Sequence, residues 1–217
     1  MSFGQVLVGL ASLALGVHQI KKGTRVLGDV AKYRPSQART QISSAGSMKV
    51  HKVRSLDDRI RHLRGRVAKG KVDPEIYTFT RSALTKRCGN TWCVNEKDTL
   101  KEAEAIFNAV RGNVRYTSDI AGIDTYQNPS KTLKLKAGDC DDYSTLICSM
   151  LLSAGIPCRF KVIRTKDSNE WNHIYAQVGL PRARPSRWVS MDASVPVRFG
   201  WEAPKSMVAE SKVFSVG

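Results

Sequence analysis

No glycine-rich phosphate loop, dinucleotide-binding fingerprint, calcium-binding loop or internal repeat occurs in the 217 residues. Nucleotide-driven and calcium-gated chemistry therefore lack sequence support, and no cofactor is expected. Cysteine is sparse and odd in number, five in all. A closed disulfide framework needs an even set, so a reducing compartment with one working thiol suits the count better. Cys88 and Cys93 flank turn residues, which suits either a local disulfide or half of a metal site. No second Cys/His pair follows at zinc-finger spacing, which argues against zinc. Cys148 and Cys158 fall in apolar stretches and are expected as buried, reduced thiols. Aromatic residues make up only 7% of the chain and do not alternate with its basic stretches, so base stacking on nucleic acid has no platform.

Acid is also short, with 19 Asp and Glu against 35 Lys and Arg and a formal net charge of +16. The imbalance is local. Residues 1–71 hold fifteen basic against three acidic side chains, whereas residues 72–217 hold twenty against sixteen. Residues 3–17 are apolar with small residues interleaved, and Lys21 and Lys22 follow. As a helix this run is about 22 Å long, short of a hydrocarbon core of about 30 Å. A secretory signal would carry positive charge before the run, and Met1-Ser2 carries none. Gly9, Ser12 and Gly16 allow close helix approach, in a membrane or in a protein assembly. Three segments are expected: residues 1–20 an apolar helix serving as membrane or partner anchor, residues 21–71 a basic linker or arm, and residues 72–217 the main domain. Part of the arm, around Leu56 to Leu63, has helical character. The arm would meet phosphate backbones or anionic lipid through charge alone.

The chemistry concentrates in Gly138-Asp139-Cys140-Asp141-Asp142-Tyr143. Asp139 is an N-cap residue, and Tyr143, Leu146, Ile147, Met150 and Leu151 recur at helical spacing until Gly155-Ile156-Pro157 stops the run. Cys140 thus stands in the first turn of a helix, where free N–H groups and the helix dipole favour an anion and lower a thiol pKa. Asp141 and Asp142 oppose this, so a protonated histidine would be needed to hold a thiolate. Three strand-like runs follow, at 158–164, 171–178 and 188–192. His173 lies on the second and Asp192 ends the third. In an antiparallel meander those two side chains meet, and the helix can bring Cys140 to the other imidazole nitrogen. Cysteine, histidine and aspartate would then be nucleophile, base and orienting group.

These blocks resemble the transglutaminase-like superfamily, whose fold is papain-like. The match is carried by Gly138-Asp139-Cys140-Asp141-Asp142, by Asn172-His173-Ile174-Tyr175 and by Trp188 to Ser194. Upstream, residues 105–116 look like the helix that precedes the nucleophile, and residues 126–133 like the lead-in to its turn. The resemblance spans roughly residues 95 to 204. It implies an α+β fold, a nucleophile helix packed on an antiparallel sheet, with Cys140, His173 and Asp192 as catalytic residues. Tyr116, Gln127 and Trp171 are the expected oxyanion or site-shaping residues. Domains of this kind are common in bacteriophages and prophages, which suggests a virion- or membrane-associated protein.

Two functions follow as expectations. One is a cysteine acyl-transfer enzyme acting on a protein or peptide, with hydrolysis favoured over cross-linking because water is always present. The other is a non-catalytic assembly protein, a minor virion component whose residues 3–20 insert into a membrane or capsid lattice.

Overall fold

The structure, a computed structural model, describes residues 55–119 and 125–217. The expected apolar helix at 1–20 and the arm up to residue 54 lie outside the described residues. Among the described residues no helix is long and apolar enough to cross a membrane.

The first described element corrects the expected boundary at residue 71. Helix α1 (Leu56–Gly70) belongs to the same compact unit as everything after it, not to a linker. Ser55 caps it by accepting from Asp58 N, and Asp57 and Asp58 lie in the first turn where the dipole favours acid. Ile60, Leu63 and Val67 follow at spacings of three and four and are each 1% exposed. At about 1.5–3 kcal/mol per buried aliphatic side chain, as an upper bound, that stripe outweighs the charge around it.

Helix α2 (Pro74–Leu84) follows, with Asp73 as N-cap and proline at its start. A hairpin of β1 (Arg87–Cys88) and β2 (Thr91–Trp92) is closed by a Cys88–Cys93 disulfide. Helix α3 (Thr99–Asn113) leads into β3 (Arg115–Tyr116). A short helix α4 (Pro129–Leu135) leads into β4 (Ala137–Gly138), and β3 and β4 pair in parallel. Helix α5 (Cys140–Ser153) comes next.

The main sheet holds β5 (Cys158–Thr165), β6 (His173–Leu180), β7 (Arg187–Met191) and β8 (Val208–Val216) in the order β7-β6-β5-β8, antiparallel throughout. The meander β5-β6-β7 follows the expected order, with β6 beginning at His173 rather than at Trp171 and β7 ending at Met191, one residue before Asp192. Strand β8 is an addition: it forms an edge with mostly exposed side chains, so its alternation of burial is weak.

Helix α5 has no solvent face along most of its length. Every residue from Cys140 to Leu151 is buried, not only the apolar stripe legible in the sequence. Its hydroxyls remain satisfied by turning back on the helix. Ser144 donates to Cys140 O, Thr145 to Asp141 O and Ser149 to Thr145 O. Ser144 also reaches Ile174 O on β6 (3.2 Å), tying helix to sheet.

Cys148 and Cys158 are joined in a disulfide, in place of the two reduced thiols expected. Gly155, at φ +71°, turns the chain back after α5. The two Cα atoms are 5.5 Å apart, within the range a disulfide spans. Cys140 is the free cysteine.

Gly70 shows how tightly α1 is seated. A Cβ there would lie 2.4 Å from Ser149 Oγ, 2.8 Å from Ser149 Cβ and 2.6 Å from Pro129 Cγ. Gly70→Ala is expected to destabilise the domain by about 1–3 kcal/mol in denaturant unfolding. An unchanged midpoint would mean that α1 does not pack on α5 in solution.

Candidate active site

The turn before Cys140 is built for close approach. A Cβ on Gly138 would lie 2.6 Å from Asp142 Cβ and 2.8 Å from its Oδ2. Glycine therefore lets the Asp142 carboxylate fold back toward Asp139 N (3.4 Å). Asp139 Oδ1 in turn accepts from Asp141 N (3.0 Å) and Asp142 N (3.2 Å), a reciprocal capping box. Cys140 is the first residue of the helix so capped, 8% exposed.

His173 opens β6. Ala176 pairs with Met191, so continuing that register sets Asp192 opposite Tyr175, on the same face as His173. The diagonal is bridged: His173 Nε2 and Asp192 Oδ2 are 2.6 Å apart. Asp192 Oδ1 accepts from Ser194 Oγ (2.7 Å). Both oxygens of a carboxylate only 4% exposed are thus satisfied. Cys140 and the His173 ring act on each other, the imidazole favouring the thiolate and the thiolate favouring the imidazolium. With Nε2 engaged by Asp192, the nitrogen left for sulfur is Nδ1. Three side chains far apart in the chain form one contiguous cluster.

The electrostatics differ from the helix-start expectation. Burial pushes the Cys140 thiol up, and His173 offsets this only in part, while Asp141 and Asp139 add to the rise. Burial alone would lower His173, but the Asp192 carboxylate overrides it and holds the imidazole well above its ordinary value. Burial, then Asp141 and Asp142, pushes Asp139 up to about 8. Asp142 is pushed up by burial to about 6, against hydrogen bonds from Gln127 that favour its anion.

Gln127 is occupied by that task. Its backbone N–H donates to Asp142 Oδ1 (2.9 Å), and its side-chain Nε2 donates to Asp142 Oδ2 (2.7 Å) and Ala137 O (3.1 Å). It shapes the turn and has no amide hydrogen left for an oxyanion. Tyr116 pairs with Gly138 across the β3–β4 ladder, which sets it beside the Gly-Asp-Cys turn. It is 42% exposed. Burial of its hydroxyl, followed by the Cys140 charge, pushes the phenol up to about 12, so it remains a donor. Trp171 packs against the core beneath Lys212 Nζ, which lies 5.1 Å from its ring centroid.

One residue escaped the sequence reading. Arg59 of α1 donates from Nε and Nη2 to the Asp141 carboxylate (2.7 Å at the shortest) and from Nη1 to Trp171 O (3.1 Å). Burial works against its charge, and Asp141 and Cys140 together more than restore it. Its signal in sequence was the stripe Ile60, Leu63, Val67, beside which Arg59 falls on the helix. Among the described residues no group of three His, Cys, Asp or Glu side chains is placed to hold a metal ion.

The family model for the transglutaminase-like superfamily matches residues 86–193, an interval that contains Cys140, His173 and Asp192. The chain belongs to the transglutaminase-like superfamily. No curated protein matches the sequence. Among solved structures, similar chains include a proposed cysteine protease from Cytophaga hutchinsonii, 17% identical with a TM-score of 0.40 over 70% of this chain and 52% of that one. A proposed protease from Parabacteroides distasonis is 15% identical, with a TM-score of 0.43 over 71% of this chain and 28% of that one. A structure described as a TGase is 15% identical, with a TM-score of 0.39 over 82% of this chain and 40% of that one. This transglutaminase-like chain thus spans less than two thirds of the length of each of them.

The pKa directions share one consequence for stability. His173 is raised, so what its pairing with Asp192 contributes is complete below the ordinary value of 6.5 and is lost as pH climbs through the folded value. Asp139 rises from 3.8 to about 8, so the folded state holds a proton that the unfolded chain releases. Stability again falls as pH climbs through that interval. The melting temperature is expected to fall as pH climbs from about 4 to about 8, with the His173 contribution joining above 6.5. The His173 ring signal in NMR is expected to titrate above 6.5 and to move down toward it in Asp192→Asn. A His173 signal indifferent to that substitution would contradict the pairing.

Proposed function

We propose that the protein is a cysteine acyl-transfer enzyme whose main reaction is hydrolysis of a peptide or amide bond. The observation that carries the reading is the 2.6 Å contact from His173 Nε2 to Asp192, with the free Cys140 thiol acting electrostatically on the same ring. Cys140 sulfur attacks the carbonyl carbon while its proton passes to His173 Nδ1. The tetrahedral intermediate collapses, the C–N bond breaks, and the imidazolium protonates the leaving amine. Water, deprotonated by His173, then attacks the thioester; the C–S bond breaks and the thiol regains its proton. An amine in place of water gives cross-linking. Asp192 keeps the ring oriented and stabilises its cationic form. Tyr116, protonated up to about pH 12, is the proposed donor to the oxyanion. The substrate class is protein or peptide.

A second reading has one observation in its favour. Cys140 is buried and its thiol is pushed up, which suits a fold retained as a scaffold in an assembly, anchored through its N-terminal segment.

Incubation with a peptide library, followed by mass spectrometry, separates these outcomes. Released fragments that vanish in Cys140→Ala are expected; Gln–Lys isopeptides without fragments would replace hydrolysis by cross-linking, and neither product would favour the scaffold. His173→Ala is expected to lower kcat by about 10³-fold or more. Tyr116→Phe should lower kcat by roughly 10²-fold with KM little changed, as loss of one oxyanion donor does. A Tyr116→Phe variant as fast as the parent would remove it from the site.

A further inference from the structure

Arg59 stands outside residues 86–193, the interval matched to the family, yet it grips the residue next to the nucleophile. Its fork holds the Asp141 carboxylate through Nε and Nη2, and its third nitrogen holds Trp171 O, two residues before His173. The guanidinium therefore touches both the helix that carries sulfur and the approach to the strand that carries imidazole. Its side chain is 17% exposed and that of Asp141 2%, so water screens the pair poorly. Around Cys140 the charged and titratable groups are Asp139 and Asp141 on α5 and its cap, His173 on β6 with Asp192 behind it, Tyr116 on β3, and Arg59 on α1. The carboxylates disfavour a sulfur anion. Among these, His173 and Arg59 are the groups that favour it.

We propose that Arg59 is a positioning residue for the nucleophile: paired with Asp141, it cancels the carboxylate charge beside Cys140, and helix α1 is thereby part of the working site. The proposal deepens the acyl-transfer reading and rests on it for its purpose, since a thiolate at Cys140 is what that chemistry needs. Packing alone does not require this arrangement. A methionine or leucine at position 59 would extend the apolar stripe of α1, whereas an arginine bound bidentately to a carboxylate fixes charge and direction together.

The test is the pH dependence of iodoacetamide alkylation at Cys140, read by mass spectrometry on the full chain without reductant, so that the four disulfide-bonded cysteines stay silent. The midpoint reports the thiol, whatever the accessibility of the sulfur. Arg59→Met is expected to raise the midpoint by about one pH unit, a roughly tenfold slower reaction at neutral pH. Asp141→Asn should move it down by a similar amount, leaving Arg59 beside the sulfur without that carboxylate. The double variant Arg59→Met/Asp141→Asn should return to within about threefold of the parent rate. Arg59→Lys, which keeps the charge and loses the fork, should stay nearer the parent than Arg59→Met does.

An Arg59→Met midpoint equal to the parent's overturns the proposal, and so does an Arg59→Lys shift as large as that of Arg59→Met. Should Arg59→Met not fold, Asp141→Asn against the double variant still isolates Arg59: coincident profiles there overturn it as well. Because the readout is alkylation, absence of peptide hydrolysis would leave this result standing, and a negative result here would leave hydrolysis untouched.

Discussion

Three carboxylates and a thiol occupy the first turn of α5 and its cap, with Asp139 half-buried and Cys140, Asp141 and Asp142 withdrawn from water. Ionised groups in that position are unfavourable unless each has a partner. Much of the surrounding chain is arranged to supply those partners. Asp139 takes the free N–H groups of the helix start, Asp142 takes Gln127 and the Asp139 N–H, and Asp141 takes Arg59. The lead-in at 125–129, the β3–β4 ladder and helix α1 are placed by these demands as much as by apolar contact.

The same burial decides the character of the thiol. In an exposed first turn the helix dipole would dominate and favour an anion. Withdrawn from water, the sulfur is governed by desolvation first and by His173 second. His173 behaves in the opposite sense because Asp192 is held at its far side by the pleat of the sheet and by Ser194. Sheet register, not sequence proximity, is what joins base to orienting group.

The legible parts of the fold were those with local causes. A capping residue, an apolar stripe and a Gly-Ile-Pro stop define α5 in the sequence, and alternating β-formers define β5, β6 and β7. Helix α1 was half legible: its stripe of Ile60, Leu63 and Val67 sits among so many basic residues that composition pointed to an arm, while packing against α5 gave a core helix. Strand β8 was not legible, because an edge strand exposed along most of its length has no strong period. The Cys148–Cys158 pairing needed the return of the chain after Gly155, which brings the end of one element against the start of the next.

By itself the sequence determined the order and chemistry of the parts: a capped thiol, then a histidine on a strand, then an aspartate closing another. Those are properties of short segments, set by capping and periodicity. Only the tertiary structure decided which charges meet. The diagonal that brings His173 to Asp192 depends on strand register, and the bridge from Arg59 to Asp141 spans 82 positions. Partners for a buried charge are chosen by where the chain packs, and packing is a property of the whole fold.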